Sequence, residues 1–138
     1  MSFDFAEVQN TDESRPLEIK HPVTGKVLLI LDLTSRTAAR PTEISRRQDR
    51  KRYKNPGRIK LDPVELESDA LDILVACTTG WRTPEGGDPV FEGQPLPFTP
   101  SNVRLLYERV KWIRVDADNF VNDVAVFLEK LPNGSVSA

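Results

Sequence analysis

Residues 27–31 read Val-Leu-Leu-Ile-Leu, five large aliphatics with no polar interruption. A strand with one wet face alternates apolar and polar residues, so this run requires cover on both of its faces. That cover comes from one small domain or from a neighbouring subunit. Upstream lie the segments PLEIK and HPVTGK, the latter with turn chemistry: Pro22 presets φ and Gly25 supplies a position with φ > 0. Residues 17–33 are therefore expected to form a β-hairpin. Residues 1–15 are polar and acidic, with scattered Phe3, Phe5 and Val8, and read as a flexible arm.

Beyond the hairpin the pattern becomes helical. Residues 36–58 form a basic segment in which Pro41 starts or breaks a helix and Thr42 or Ser45 offers a cap. Ile44 and Tyr53 are its only sizeable apolar residues, so it reads as a surface helix. Residues 63–79 carry a strong start signal: Asp62 at the cap, Pro63 at the first helical position and Glu65 at the third. Leu66, Ala70, Ile73, Leu74 and Cys77 form the expected apolar stripe, and Gly80 stands where a left-handed cap would end the helix.

A loop rich in Gly, Pro and acids follows, with Trp81 at one end and Phe98 at the other. Thr99-Pro100 then repeats the start signal, and Val103, Leu106, Tyr107 and Val110 mark a helix over 100–110. Ala117, Phe120, Val121, Val124, Phe127, Leu128 and Leu131 sustain helical spacing over 112–131, with a break expected around residues 111–113. Residues 132–138 are a tail. The fold class expected is mainly α: one small helical domain over 16–131 with an N-terminal β-hairpin, α+β at the margin.

Chemistry-bearing residues are few. There is one histidine, His21, in the turn, and one cysteine, Cys77, on the apolar stripe. A buried cysteine among Leu and Ile acts as a small hydrophobe, and a single His and Cys make no N/S zinc set. Asp62, Glu65, Glu67, Asp69 and Asp72 lack the spacing of a calcium loop and sit where the helix dipole favours acids. Gly86-Gly87 lacks the lysine and hydroxyl of a phosphate loop. No enzyme activity, cofactor or metal is expected. One cysteine precludes an internal disulfide, the N-terminus lacks a signal-peptide core, and no apolar run approaches the ~20 residues that span a bilayer. A cytoplasmic protein with no membrane partner is expected.

The largest anomaly is charge. Residues 36–60 hold ten basic residues against Glu43 and Asp49, or +8, whereas the chain as a whole is −2 and the remainder therefore −10. Two readings are available, and because the chain as a whole is not basic, nucleic acid is not the partner expected. Arg46, Arg47, Arg50, Arg52 and Lys54, beside Tyr53, are candidates for nucleic-acid contact. Alternatively the segment faces the acidic helix that follows, and the two halves partly neutralise each other.

The order Gly80-Trp81, then a Gly/Pro/acid loop, then Gly93, Pro97-Phe98-Thr99-Pro100, Asn102-Val103, Leu106, Trp112 and the closing pair Phe127-Leu128 resembles the tail assembly chaperones of long-tailed bacteriophages and prophages. The turn HPVTGK resembles one near the start of several such proteins, and the likeness spans roughly residues 17–130. The basic segment carries no motif of that family. The resemblance implies a non-enzymatic protein in the host cytoplasm, absent from the mature virion. It would bind the tape measure protein, keep it soluble and assist tail tube assembly, with the tail tube protein as a further partner. Many such proteins also occur in a frameshifted, extended form. Candidate partner-binding residues are Val27, Leu29, Ile30 and Leu31 on the strand and Trp81, Phe91 and Phe98 in the loop, and self-association through the strand's second face is expected. The alternatives are a nucleic-acid-binding accessory protein and a structural tail completion protein.

Overall fold

A computed structural model describes residues 9, 11, 13–54 and 62–128. Strands β1 (Arg15–Lys20) and β2 (Val27–Leu33) form the expected hairpin, closed by a turn in which the Gly25 amide donates to the His21 carbonyl at 2.9 Å and Gly25 adopts φ 72°. His21 Nδ1 accepts from the amides of Val23 and Thr24, so the imidazole braces the turn. Helices α1 (Ala39–Tyr53) and α2 (Pro63–Cys77) follow, then β3 (Thr78–Arg82), the short pair β4 (Val90–Phe91) and β5 (Gln94–Pro95), and helices α3 (Pro100–Arg109), α4 (Lys111–Asn122) and α5 (Val124–Phe127). The domain is small and α+β: among the described residues, five helices against an antiparallel sheet of order β1-β2-β3.

The third strand corrects the expected hairpin. Helix α2 ends at Cys77, three residues before Gly80, because the β-branched pair Thr78-Thr79 turns the chain into extended conformation. Gly80 has no positive φ and pairs with Asp32. A Cβ there would meet Asp32 Oδ2 at 3.3 Å, so the glycine serves close strand approach rather than a helix cap.

Strand β2 resolves into two faces. Leu29, Leu31 and Leu33 are buried, and with Ile19 of β1 and Trp81 of β3 they form the sheet side of the core. The helices supply Leu71, Ile73, Leu74, Cys77, Val103, Tyr107, Ile113, Ala117 and Val121. The expected stripe on α2 shifts accordingly. Leu66 and Ala70 are exposed, whereas Leu71, Ala76 and Cys77 are buried, because only the C-terminal half of α2 is enclosed by sheet and helices. Asp62 and Thr99 cap α2 and α3 as expected, Asp62 Oδ1 accepting from the Val64 amide and Thr99 Oγ1 from that of Asn102. Helix α1 instead begins after Ala38 with no side-chain cap, and Pro41 packs inside its first turn.

The chain breaks at Val110, just before the expected position, and again at Asp123. Oδ1 of Asp123 accepts from the Ala125 amide and starts the separate turn α5, so the helix expected over 112–131 is two. Leu131, the tail and residues 55–60 of the basic segment lie outside the described residues.

One buried hydrogen-bond relay joins the layers. The Thr78 hydroxyl donates to the Leu74 carbonyl at 2.9 Å, so the Tyr107 hydroxyl, 2.7 Å away, must be the donor to Thr78 Oγ1. Burial raises the Tyr107 pKa well above the ordinary phenol, which keeps that proton in place. Tyr107→Phe leaves Thr78 with its Leu74 bond and is expected to cost about 1 kcal/mol, whereas Thr78→Val strands the tyrosine hydroxyl and is expected to cost about 1–3 kcal/mol. Chemical denaturation of the two variants checks the order, and equal costs would contradict it.

Candidate functional site

Two surfaces remain once the core is assigned. The first joins the outer face of the sheet to the loop after β3. On that outer face the ladder places Pro16 opposite Asp32, Glu18 opposite Ile30, and Ile30 opposite Arg82. Arg82 Nη1 pairs with Asp32 Oδ2 at 2.6 Å, and both side chains are partly exposed, so the bond fixes the strand end more than it stabilises. Between these charges stand half-buried Ile30 and exposed Leu28. Leu28 lies beyond the Ile30–Arg82 pair, at the end of the sheet from which the loop departs.

The loop is built rather than slack. Its first turn closes through the Thr83 amide donating to the Gly87 carbonyl and the Gly86 amide to the Thr83 carbonyl, each at 2.8 Å. Glu92 and Gly93, at φ 50° and 78°, make the two-residue turn between β4 and β5, where mirror-image turns suit the strand twist. At the base, Trp81 is buried and meets Phe98 edge-to-face at a centroid distance of 5.6 Å. Its Nε1–H donates to the Leu96 carbonyl at 3.2 Å, and Asn102 Nδ2 donates to the Pro97 carbonyl at 2.9 Å. Both ends of the loop are thus clamped to the start of α3. Val90 is 66% exposed and Phe98 39% exposed, and Phe91 is half-buried.

Several sequence candidates change role. Leu29, Leu31 and Trp81 belong to the core and offer no docking surface in this fold. Val27 and Ile30 are half-buried, and Phe91 and Phe98 remain accessible. Leu28 and Val90 were not singled out. Leu28 hides within an unalternating run, and Val90 could have been found from the Pro-Val-Phe-Glu-Gly hairpin signal.

The second surface is α1. Gln48 Nε2 donates to the Asp69 carbonyl at 2.9 Å, and Arg52 Nη2 binds Asp69 Oδ2 at 2.7 Å. Arg52 therefore faces α2, not solvent. Among the described residues it is the only cation of α1 that forms an ion pair with α2. Glu43 takes Arg47 at 3.3 Å and Arg50 at 3.2 Å, and these hydrogen bonds, Arg50 first, hold its pKa below the usual carboxylate value.

Among the described residues no group of three His, Cys, Asp or Glu is placed to hold a metal ion, and no helix is long and apolar enough to cross a membrane. Cys77 is buried, and loss of hydration pushes its thiol up to about 12. No protein-family model, curated protein or solved structure matches the chain.

Native Cys77 is accordingly expected to resist a thiol reagent at neutral pH and to react fully once denatured, with Cys77→Ala costing about 1 kcal/mol. Fast labelling of the folded protein would contradict its burial. Asp118 gives a pH-dependent test. Burial raises its pKa, only partly offset by Arg114 and Arg36. An acid whose folded pKa exceeds its unfolded value binds protons preferentially when folded, so stability falls as pH rises through that window. Asp118→Asn is expected to be more stable than wild type at neutral pH. The difference should close as pH drops below the ordinary carboxylate range, and melting curves at several pH values would expose a pH-independent difference.

Proposed function

We propose that this chain is a phage or prophage tail assembly chaperone that holds an aggregation-prone tape measure protein in solution while the tail tube assembles. The observation that carries the reading is the clamp at the loop base. Trp81, Pro97, Phe98, Thr99 and Asn102, which are among the residues of the sequence resemblance, are tied at the loop base by hydrogen bonds and an aromatic contact. A loop anchored at both ends can present Val90, Phe91 and Phe98 without collapsing onto the core, and Leu28 and Ile30 offer a further apolar patch on the outer face of the sheet.

The physics of the task suits this arrangement. A long helical partner exposes apolar stripes, and covering them requires displayed apolar side chains on a scaffold stable enough not to rearrange. The acids Glu85, Asp88 and Glu92 around the loop keep such a surface soluble when it is empty. Self-association through Leu28 and Ile30 is the competing use of the same sheet face. Two side chains fall well short of the roughly 800 Å² per partner of a stable interface, so any homodimer there is weak. The host cytoplasm is the compartment this role implies, and the protein would leave before the particle is finished.

Co-expression of the chain with a tape measure protein is expected to raise the soluble yield of the latter severalfold. Val90→Asp with Phe98→Ala should abolish the gain while the variant keeps its wild-type circular dichroism. Unchanged tape measure solubility with the wild type, or full rescue by the folded double variant, would count against the reading.

A further inference from the structure

The basic helix is not used by the surface described above, and its cations are segregated. Arg40, Arg47, Lys51 and Lys54 recur at i, i+7, i+11 and i+14, and Arg46 and Arg50 run beside them four residues apart. At 3.6 residues per turn these six occupy one half of α1, and all six are exposed. The other half carries buried Pro41 and half-buried Ile44, Gln48 and Arg52, which pack toward α2. Among the described residues Arg40, Arg46, Lys51 and Lys54 have no carboxylate partner, and Glu43 is the one acid amid the row. Asp69 and Asp72, which border the row on the α2 side, are already held by Arg52 and Arg104.

We propose that this face of α1 binds the phosphate backbone of a nucleic-acid duplex without reading its sequence. Three features favour phosphate over a protein partner. Protein interfaces centre on apolar anchors from which charge is depleted, but this face carries six cations and, at its margin, one exposed aromatic, Tyr53. From Arg40 to the C-cap Lys54 the cations span 15 residues, or roughly 21 Å at 1.5 Å per step, along which a duplex presents a charge every ~1.7 Å of its axis. Four of the six are arginines, whose planar guanidinium can grip two phosphate oxygens at once. The net charge of −2 does not oppose this, because, of the 21 acids of the chain, only Glu43 and Asp49 lie on α1 itself.

The test is fluorescence anisotropy of the full chain with a labelled duplex of about 20 base pairs, titrated with KCl. Wild type is expected to bind at low salt, with a log–log salt slope near −4, the value for four to five neutralised phosphates. The combined variant Arg40→Gln, Arg46→Gln, Lys51→Gln and Lys54→Gln removes only side chains without ion-pair partners. It should bind at least tenfold more weakly and lose about one unit of slope per cation. Arg52→Gln, which removes the pairs with Asp69 and Asp49 but no cation of this face, should bind as wild type. Circular dichroism of each variant separates lost binding from lost structure. No binding by wild type, unchanged binding by the folded quadruple variant, or displacement by polyglutamate as effective as by unlabelled duplex would overturn the proposal.

Discussion

The fold depends on the direct passage from α2 into β3 at Cys77-Thr78. The Cys77 carbonyl accepts the Thr34 amide at 2.8 Å, joining the end of β2 to the end of α2. One residue on, the Thr78 hydroxyl links α2 to Tyr107 of α3. Sheet, central helix and loop-borne helix are therefore registered by two consecutive residues in a dry environment, where an unpaired polar atom is costly. Because no linker separates α2 from β3, Trp81 falls on the inner face of the sheet and Arg82 on the outer. The loop that follows starts from a fixed point.

That fixed point sets the positions of the two surfaces. The loop after β3 departs from the end of the sheet nearest Leu28, whereas α1 carries its cations on its exposed half, along an edge shared with Asp69 and Asp72 of α2. Ion pairs elsewhere, Arg104 with Asp72 and Arg114 with Glu67, join neighbouring helices at partly exposed positions, and Arg104 also pairs with Glu108 within α3. Pairs of this kind orient elements and contribute little to net stability. What they do is engage Asp72 and Glu67 of α2, as Arg52 engages Asp69.

Much of this was legible in the residues. Asp62-Pro63 and Thr99-Pro100 marked two helix starts because caps act locally, and Pro22 with Gly25 marked the hairpin turn for the same reason. The five aliphatics of β2 were legible as a strand but not as a surface, since period two says which residues share a face but not which face is wet. Leu29 and Leu31 went to the core and Leu28 to solvent. The third strand was missed because Gly80 fits two local roles, helix cap and close strand approach, and only the tertiary position of Asp32 decides between them. The direction of Arg52 was equally hidden, because its partner Asp69 lies 17 residues away across an inter-helix contact. The break at Asp123 lost to an apolar rhythm that continues across it.

The separation of the two surfaces is the central claim, and hydrogen exchange of the chain with and without a bound tape measure protein tests it most directly. The account predicts slowed exchange in β4, β5 and the residues leading to Phe98, together with the outer strand around Leu28, while the amides of α1 exchange as in the free chain. Protection confined to α1, with the loop after β3 unchanged, would contradict it.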